Sequence, residues 1–179
     1  MVLKRFLVFG GLIALVVVGL VLNFWWNLGN NTGYSPEQPI PFSHKIHAGD
    51  NKIPCLYCHA EATLSRHATV PSLNVCMNCH GVVKTDSPFI QELTKKYKEG
   101  KPIEWVRVHD LPDHVYFSHK RHLAKNIKCE ACHGDVAQMD RIFQKETLLM
   151  GFCVNCHRTN KGPTGEDQKG PTDCYTCHN

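Results

Sequence analysis

The apolar positions of this chain are concentrated at its amino end. Residues 6–26, FLVFGGLIALVVVGLVLNFWW, form an apolar stretch of 21 positions that only Asn23 interrupts. At about 1.5 Å of rise per residue, such a helix spans the roughly 30 Å hydrocarbon core of a bilayer. We therefore predict that residues 1–26 form a transmembrane anchor. A cleavable signal peptide is the alternative, but its apolar run is ordinarily shorter and an A-x-A-like cleavage site follows it.

The charges beside this stretch predict its orientation. Lys4 and Arg5 precede the apolar run. Under the positive-inside rule the amino terminus then stays in the cytoplasm, and residues 27–179 are exported. Trp25 and Trp26 lie at the end of the apolar run, where they are predicted either to form part of an interfacial aromatic belt or to contact a partner subunit.

Few other segments have a regular hydrophobic period. Residues 27–41 are rich in Asn, Gly and Pro and predict a linker. A helix is predicted after Ser87, because Ser at the N-cap and Pro at the first position are typical helix starts. The alternation of EWVRVH predicts a strand at 104–109, and a second helix is predicted from Asp140 to Met150.

The remaining sequence is dominated by a repeated cysteine–histidine motif. Cys-x-x-Cys-His occurs five times and uses all ten cysteines. The cysteine pairs are Cys55 and Cys58, Cys76 and Cys79, Cys129 and Cys132, Cys153 and Cys156, and Cys174 and Cys177. The histidines that follow them are His59, His80, His133, His157 and His178.

Zinc and haem are the two cofactors that this spacing admits. The first two pairs fit the C-x2-C-x15–20-C-x2-C spacing of a zinc ribbon, which needs no histidine after each pair. With 12 His in 179 residues, chance would place a histidine after all five pairs only about once in a million. C-x-x-C-H is the attachment motif of c-type haem. We therefore predict five covalently attached haem c groups, with zinc or disulfides as alternatives.

Helical geometry explains the motif. Cysteines at i and i+3 lie on one face of a helical turn, where their sulfurs reach the two vinyl groups of the porphyrin. The histidine at i+4 then becomes the proximal iron ligand.

Seven other histidines are available for the second side of each iron. These are His44, His47, His67, His109, His114, His119 and His122. Two F-S-H-x-x-H segments, at 42–47 and 117–122, precede haem motifs with an offset of 74 to 77 residues. The predicted distal ligands in these segments are His44, His47, His119 and His122.

The fifth distal ligand is left open between three residues. His67 precedes Cys76 by nine residues, and His109 lies on the predicted strand. Met150 is a weaker alternative that would supply a thioether. His114 is expected to face solvent or a haem propionate.

These features predict a multihaem cytochrome c, mostly coil with short α-helices packed around five haems, plus the amino-terminal transmembrane helix. The exported haem domain comprises residues 42–179. Haem-pair modules occupy 42–81 and 117–158, and a terminal site occupies 174–178. The formal charge of +4 does not indicate nucleic-acid binding, since about ten propionates would offset it.

The H-x-x-H plus C-x-x-C-H modules resemble those of class III multihaem cytochromes, the c3 and c7-like proteins. With the anchor and the terminal fifth motif, the chain is similar to the pentahaem cytochrome c subunits of Alternative Complex III. That resemblance implies an electron-transfer subunit, without a substrate site of its own, in a quinol oxidoreductase of the cytoplasmic (inner) membrane. It also implies that the haem domain lies in the periplasm.

The resemblance further implies polytopic quinol-binding subunits, an iron–sulfur subunit and a monohaem cytochrome as partners. Two alternatives remain. One is a stand-alone membrane-anchored quinol dehydrogenase that feeds a periplasmic reductase. The other is a multihaem reductase with one open haem.

Overall fold

The computed structural model describes residues 2–159 and 169–178. The chain divides into two compact units, residues 1–31 and 32–179.

The first unit is an apolar helix, Val2–Asn27. Its span Leu7–Trp25 has 19 residues and a mean hydropathy of 2.6, and its side chains are exposed. Near its carboxyl end the Asn27 amide donates to the carbonyl of Asn23 at 2.8 Å. The predicted helix is therefore present, and its length and composition are sufficient to cross a bilayer.

The second unit is built from short helices joined by long irregular segments. Its α-helices are Cys55–Cys58, Leu73–His80, Pro88–Lys98, His119–Leu123, Glu130–His133, Met150–Thr159 and Cys174–Cys177. The described part of this unit also contains two 3₁₀ turns, Ala60–Thr63 and Val136–Gln138, and one π-helical turn, Lys45–Asp50. No strand occurs within residues 2–159 and 169–178. The predicted fold class, mostly coil with short helices, is confirmed.

The apolar core of this unit is small and is centred on helix Pro88–Lys98. Ser87 is its N-cap and Pro88 its first residue, as predicted. Leu93 of this helix packs with Ile40 and Ile103 in a buried cluster. Ile40 comes from the predicted linker, so the carboxyl end of that segment packs into the second unit.

The segment predicted as a second helix is irregular and contains a buried glutamine, Gln144. The Gln144 side chain is 0% exposed, and its backbone exchanges hydrogen bonds with Gly33 and Tyr34 at 2.8 and 3.1 Å. Its Oε1 accepts from the Asp110 N–H at 2.8 Å. The helix predicted from Asp140 to Met150 is wrong, because these long-range bonds occupy backbone groups that helical bonds would need. A helix begins only at Met150.

The strand predicted at 104–109 is also wrong. Among the described residues no strand lies beside this segment, and its backbone forms hydrogen bonds with a side chain instead. The Gln38 amide accepts from Val106 N–H at 2.9 Å and donates to the Val106 carbonyl at 3.0 Å. Val108 is buried but Val106, two residues earlier, is 39% exposed, so the alternating pattern does not correspond to one buried face.

Candidate haem sites

Each of the five Cys-x-x-Cys-His motifs lies on a helical turn. The motifs of Cys76 and Cys153 lie within the longer helices Leu73–His80 and Met150–Thr159. In the other three motifs the N–H of the histidine donates to the carbonyl of the first cysteine, each at 2.9 Å. This i to i+4 bond places the two cysteines and the histidine on one face of the turn. That is the arrangement which attachment of a haem at its edge and axial face requires.

The imidazoles of these motifs are held by their Nδ1 atoms. The Nδ1 atoms of His59, His80, His157 and His178 lie 2.7, 3.1, 2.6 and 2.9 Å from the carbonyl oxygens of Thr69, Val83, Pro171 and His114. A carbonyl only accepts, so each Nδ1 carries the proton and each Nε2 keeps its lone pair. This is the tautomer and orientation that a proximal iron ligand needs.

Gly170 leaves room for the contact between the His157 ring and the Pro171 carbonyl. A Cβ at Gly170 would lie 2.6 Å from Cγ of the His157 ring. The Gly170 N–H donates to the His157 carbonyl at 2.9 Å, and the next residue, Pro171, accepts from the ring. A side chain at this position would therefore displace the imidazole.

His133 is the exception among the motif histidines. Its Nδ1 lies 3.1 Å from Nε2 of His109. If His133 binds metal through Nε2, its Nδ1 carries the proton and His109 accepts it in the hydrogen bond. Burial, followed by the charges of neighbouring histidines, lowers the pKa of both residues, that of His133 to about 4. Both rings are thus neutral at pH 7, as this bond requires.

The two F-S-H-x-x-H segments have the same internal geometry. Phe42 meets His44 edge to face at 4.9 Å and stacks on His47 at 4.3 Å between ring centres. Phe117 repeats both contacts in the second module, at 4.8 and 4.4 Å. Each phenylalanine therefore fixes two imidazoles. Sequence reasoning missed this positioning role, although the recurrence of Phe at the same place in both repeats was the available signal.

The second histidine of each segment is oriented by the serine before the module's first histidine. The Nδ1 atoms of His47 and His122 donate to the carbonyls of Ser43 and Ser118, both at 2.8 Å. His119 instead donates to the Arg66 carbonyl at 3.0 Å. All three keep Nε2 available for a metal. His44 differs, since its buried Nδ1 has no hydrogen-bond partner and burial, more than neighbouring charge, lowers its pKa to about 4.

Three pairs of imidazoles, each made of one module histidine and one motif histidine, have nearly the same spacing between ring centres. Ring centres of His47 and His80 are 6.1 Å apart, those of His122 and His157 6.0 Å, and those of His119 and His133 6.4 Å. A metal–imidazole bond is about 2 Å long, so two imidazoles on opposite sides of one iron have ring centres about 6 Å apart. The residues present therefore fit a bis-histidine haem at each of these three motifs.

The structure also locates the candidates for the fifth distal ligand. His67 is exposed and, among the described residues, its ring stacks on none of the motif histidines. His109 contacts His133, as described above. His114 stacks on His178 at 5.3 Å, less than the spacing of the three facing pairs, and its carbonyl holds the Nδ1 of that same ring. The Met150 side chain is 71% exposed at the start of its helix.

The cysteines form neither disulfides nor a metal cluster. All ten sulfurs are therefore available for the attachment of haem. Within the described residues, which include every cysteine and histidine, no group of three or more ligating side chains is placed to hold a metal ion. Burial raises the pKa of the Cys132 thiol to about 11, and it also raises that of Cys58, Cys76, Cys129 and Cys153.

The chain is similar to known proteins over most of its length. A family model described as cytochrome c7 and related cytochrome c matches residues 115–179, which hold the second module and the terminal motif. Over 188 residues the chain is 31% identical to the menaquinone reductase, multihaem cytochrome c subunit of Nitratidesulfovibrio vulgaris strain Hildenborough. The alignment covers 91% of this chain and 86% of the relative. The chain belongs to the multihaem cytochrome c family. As a cytochrome c it carries covalently attached haem and functions in electron transport.

Proposed function

We propose that this cytochrome carries five haem c groups and is an electron-transfer subunit of a membrane-bound quinone oxidoreductase complex. The observation that carries the proposal is the set of three facing imidazole pairs, 6.0 to 6.4 Å apart, that joins module histidines to motif histidines. A haem iron with two axial imidazoles exchanges single electrons and has no free position for a substrate. The pairs therefore favour electron transfer over catalysis at the haem.

The chain's own residues would hold each group from three directions. The ten motif cysteines tether the porphyrins, and the five motif histidines bind iron on the proximal side. His47, His119 and His122 bind the opposite sides at the second, third and fourth motifs. We assign His44 to the first motif, because His59 is the neighbour that acts most strongly on its charge.

We assign the fifth distal position to His67. The guanidinium of the adjacent Arg66 lies 4.9 Å from the centre of the Tyr116 ring, and the Tyr116 N–H donates to the Cys177 carbonyl at 2.8 Å. His67 is thus next to a residue that reaches the terminal motif. The His109 ring is hydrogen-bonded to that of His133, and the His114 ring lies 5.3 Å from that of His178, closer than the 6.0 to 6.4 Å of the three pairs.

We also infer that helix Val2–Asn27 anchors the protein in the cytoplasmic membrane, with the haem domain in the periplasm. Its apolar span is 19 residues long. Lys4 and Arg5 lie at the amino end, which under the positive-inside rule remains cytoplasmic. Covalent haem attachment in bacteria takes place on the opposite side of this membrane.

Two kinds of complex are candidates. Five motifs, two modules and a single anchor favour the Alternative Complex III type, in which quinol is the electron donor. The similarity to a menaquinone reductase subunit favours a complex that delivers electrons to a quinone. Both require polytopic membrane partners that bind the quinone, because the cytochrome itself has only one candidate span in its described part.

Purification of the complex from gently solubilised membranes tests the proposal. We expect a single haem-staining band of this chain, a mass that corresponds to five haems, and low-spin ferric signals alone in electron paramagnetic resonance. Polytopic and iron–sulfur subunits should copurify. A five-coordinate high-spin signal in the native protein would favour a reductase instead, and quinol oxidation by the isolated chain would favour a stand-alone dehydrogenase.

The direction of electron flow separates the two complexes. An Alternative Complex III should reduce a periplasmic acceptor when quinol is added. A menaquinone reductase should reduce the quinone pool when a periplasmic donor reduces the cytochrome.

A further inference from the structure

We infer that the five haem sites lie in single file in the order second, first, third, fourth, fifth, so that electrons enter and leave the cytochrome at the second and fifth sites. Sites are numbered by their motifs along the chain: 55–59, 76–80, 129–133, 153–157 and 174–178. The inference rests on the proposed function, since it requires a haem at each motif. It follows from four contacts, each of which joins two sites.

The first and second sites are joined inside the first module. The Asn78 amide, between the cysteines of the second motif, donates to the hydroxyl of Tyr57, between those of the first, at 3.2 Å. His47 of the same module faces His80 at 6.1 Å.

The first and third sites form the junction between the two modules. His119, whose ring is paired with that of His133 in the third motif, donates its Nδ1–H to the carbonyl of Arg66, seven residues beyond the first motif, at 3.0 Å. Lys45, between the two histidines of the first module, donates its N–H to the Met139 carbonyl at 3.0 Å, six residues beyond the third motif. Gly49 packs directly against the Ala137 carbonyl, with no room for a Cβ. The first site, rather than the second, therefore meets the second module.

The third and fourth sites share one short helix. His119 and His122, on helix His119–Leu123, face His133 and His157 at 6.4 and 6.0 Å. Residues three apart on a helix are neighbours, so the two irons bound by these histidines must also be neighbours.

The fourth and fifth sites are joined by contacts between His157 and the residues just before the fifth motif. The His157 imidazole donates to the Pro171 carbonyl at 2.6 Å, three residues before the fifth motif. The Gly170 N–H, four residues before the same motif, donates to the His157 carbonyl at 2.9 Å. The two ends of the file are exposed, with Val82 beside the second motif at 84% and Tyr175 within the fifth at 82%. Partner proteins can approach both ends.

Pairwise redox interactions in the wild-type chain test the order without any mutation. Reduction of one haem makes reduction of another harder by a Coulomb repulsion that falls with distance. The full-length chain in detergent micelles is reduced stepwise, and its haem methyl resonances are followed by exchange spectroscopy. We expect the four largest interactions for second–first, first–third, third–fourth and fourth–fifth, each at least twofold larger than any other.

A strong second–third or first–fifth interaction, or a weak first–third interaction, would overturn the order. If all five haems are low-spin and only the pattern of pairwise redox interactions differs from the expected one, the proposed order of sites is wrong while the proposed function stands. If fewer than five haems are present, both fail.

Variants that lack one site provide a second readout. The double variant Cys129→Ala/Cys132→Ala removes the third attachment site, and Cys174→Ala/Cys177→Ala is its matched control at the end of the file. In the first variant we expect the remaining haems to separate into two non-interacting pairs. In the control, all four remaining haems should stay coupled in series. Four coupled haems in the first variant would contradict a file with the third site at its centre.

Discussion

His109 gives the sharpest prediction, because it holds one proximal ligand through a side chain instead of a backbone carbonyl. Its Nε2 lies 3.1 Å from Nδ1 of His133, and burial keeps the His109 ring neutral by lowering its pKa. In His109→Phe the aromatic bulk remains but the acceptor is lost. In His109→Gln a carbonyl oxygen can replace the acceptor, so this variant is the matched control.

The expected effect on the third haem follows from the strength of one hydrogen bond. An acceptor on the Nδ1–H of a proximal imidazole makes the ligand more basic and so stabilises ferric over ferrous iron. A typical hydrogen bond contributes about 1 kcal/mol. If the ferric state gains that much more than the ferrous state, removal raises the potential by about 40 mV, since 59 mV corresponds to about 1.36 kcal/mol for one electron.

The measurement is a redox titration of the purified full-length cytochrome, followed by electron paramagnetic resonance so that each ferric centre is observed separately. In His109→Phe we expect one of the five low-spin signals to titrate at the higher potential and the other four to stay within about 10 mV. His109→Gln should return that signal most of the way to its wild-type potential.

Two results would refute this reasoning. A high-spin ferric signal in His109→Phe would mean that His109 is itself an axial ligand. Unchanged potentials in both variants would mean that the contact with His133 does not persist once the haem is bound.

Three further predictions use other parts of the chain. Gln144→Ala should destabilise the haem domain by about 3 kcal/mol, because the buried amide satisfies three backbone groups, whereas exposed Gln91→Ala should change the denaturant midpoint little. His67→Ala should convert one haem to a high-spin form visible in electron paramagnetic resonance, while His114→Ala should leave all haems low-spin; the reverse outcome would make His114 the fifth ligand. Val16→Arg, at the middle of the apolar span, should cost about 3 kcal/mol of membrane insertion and reduce the carbonate-resistant membrane fraction, with Val16→Leu as the control.

Local signals predicted the helix that starts at Pro88 and the apolar helix at the amino end, because N-cap chemistry and a long apolar run act within the segment that contains them. The predictions at 104–109 and 140–150 were wrong for one shared reason. In both segments the backbone bonds to side chains or carbonyls from distant parts of the chain, as Gln38 and Gln144 do. A local period carries no information about such partners.

The sequence by itself determined the chemistry of this protein, since covalent haem attachment needs two thiols and an imidazole within one helical turn, and five such turns can be read directly along the chain. It also determined that H-x-x-H segments supply histidines near those turns. Only the tertiary structure decided which imidazoles face each other, that His109 supports His133 rather than facing it across a haem-sized gap, and which sites are neighbours. These relations depend on contacts between residues far apart in sequence, such as Tyr57 with Asn78 and Arg66 with His119, and the folded chain alone brings them together.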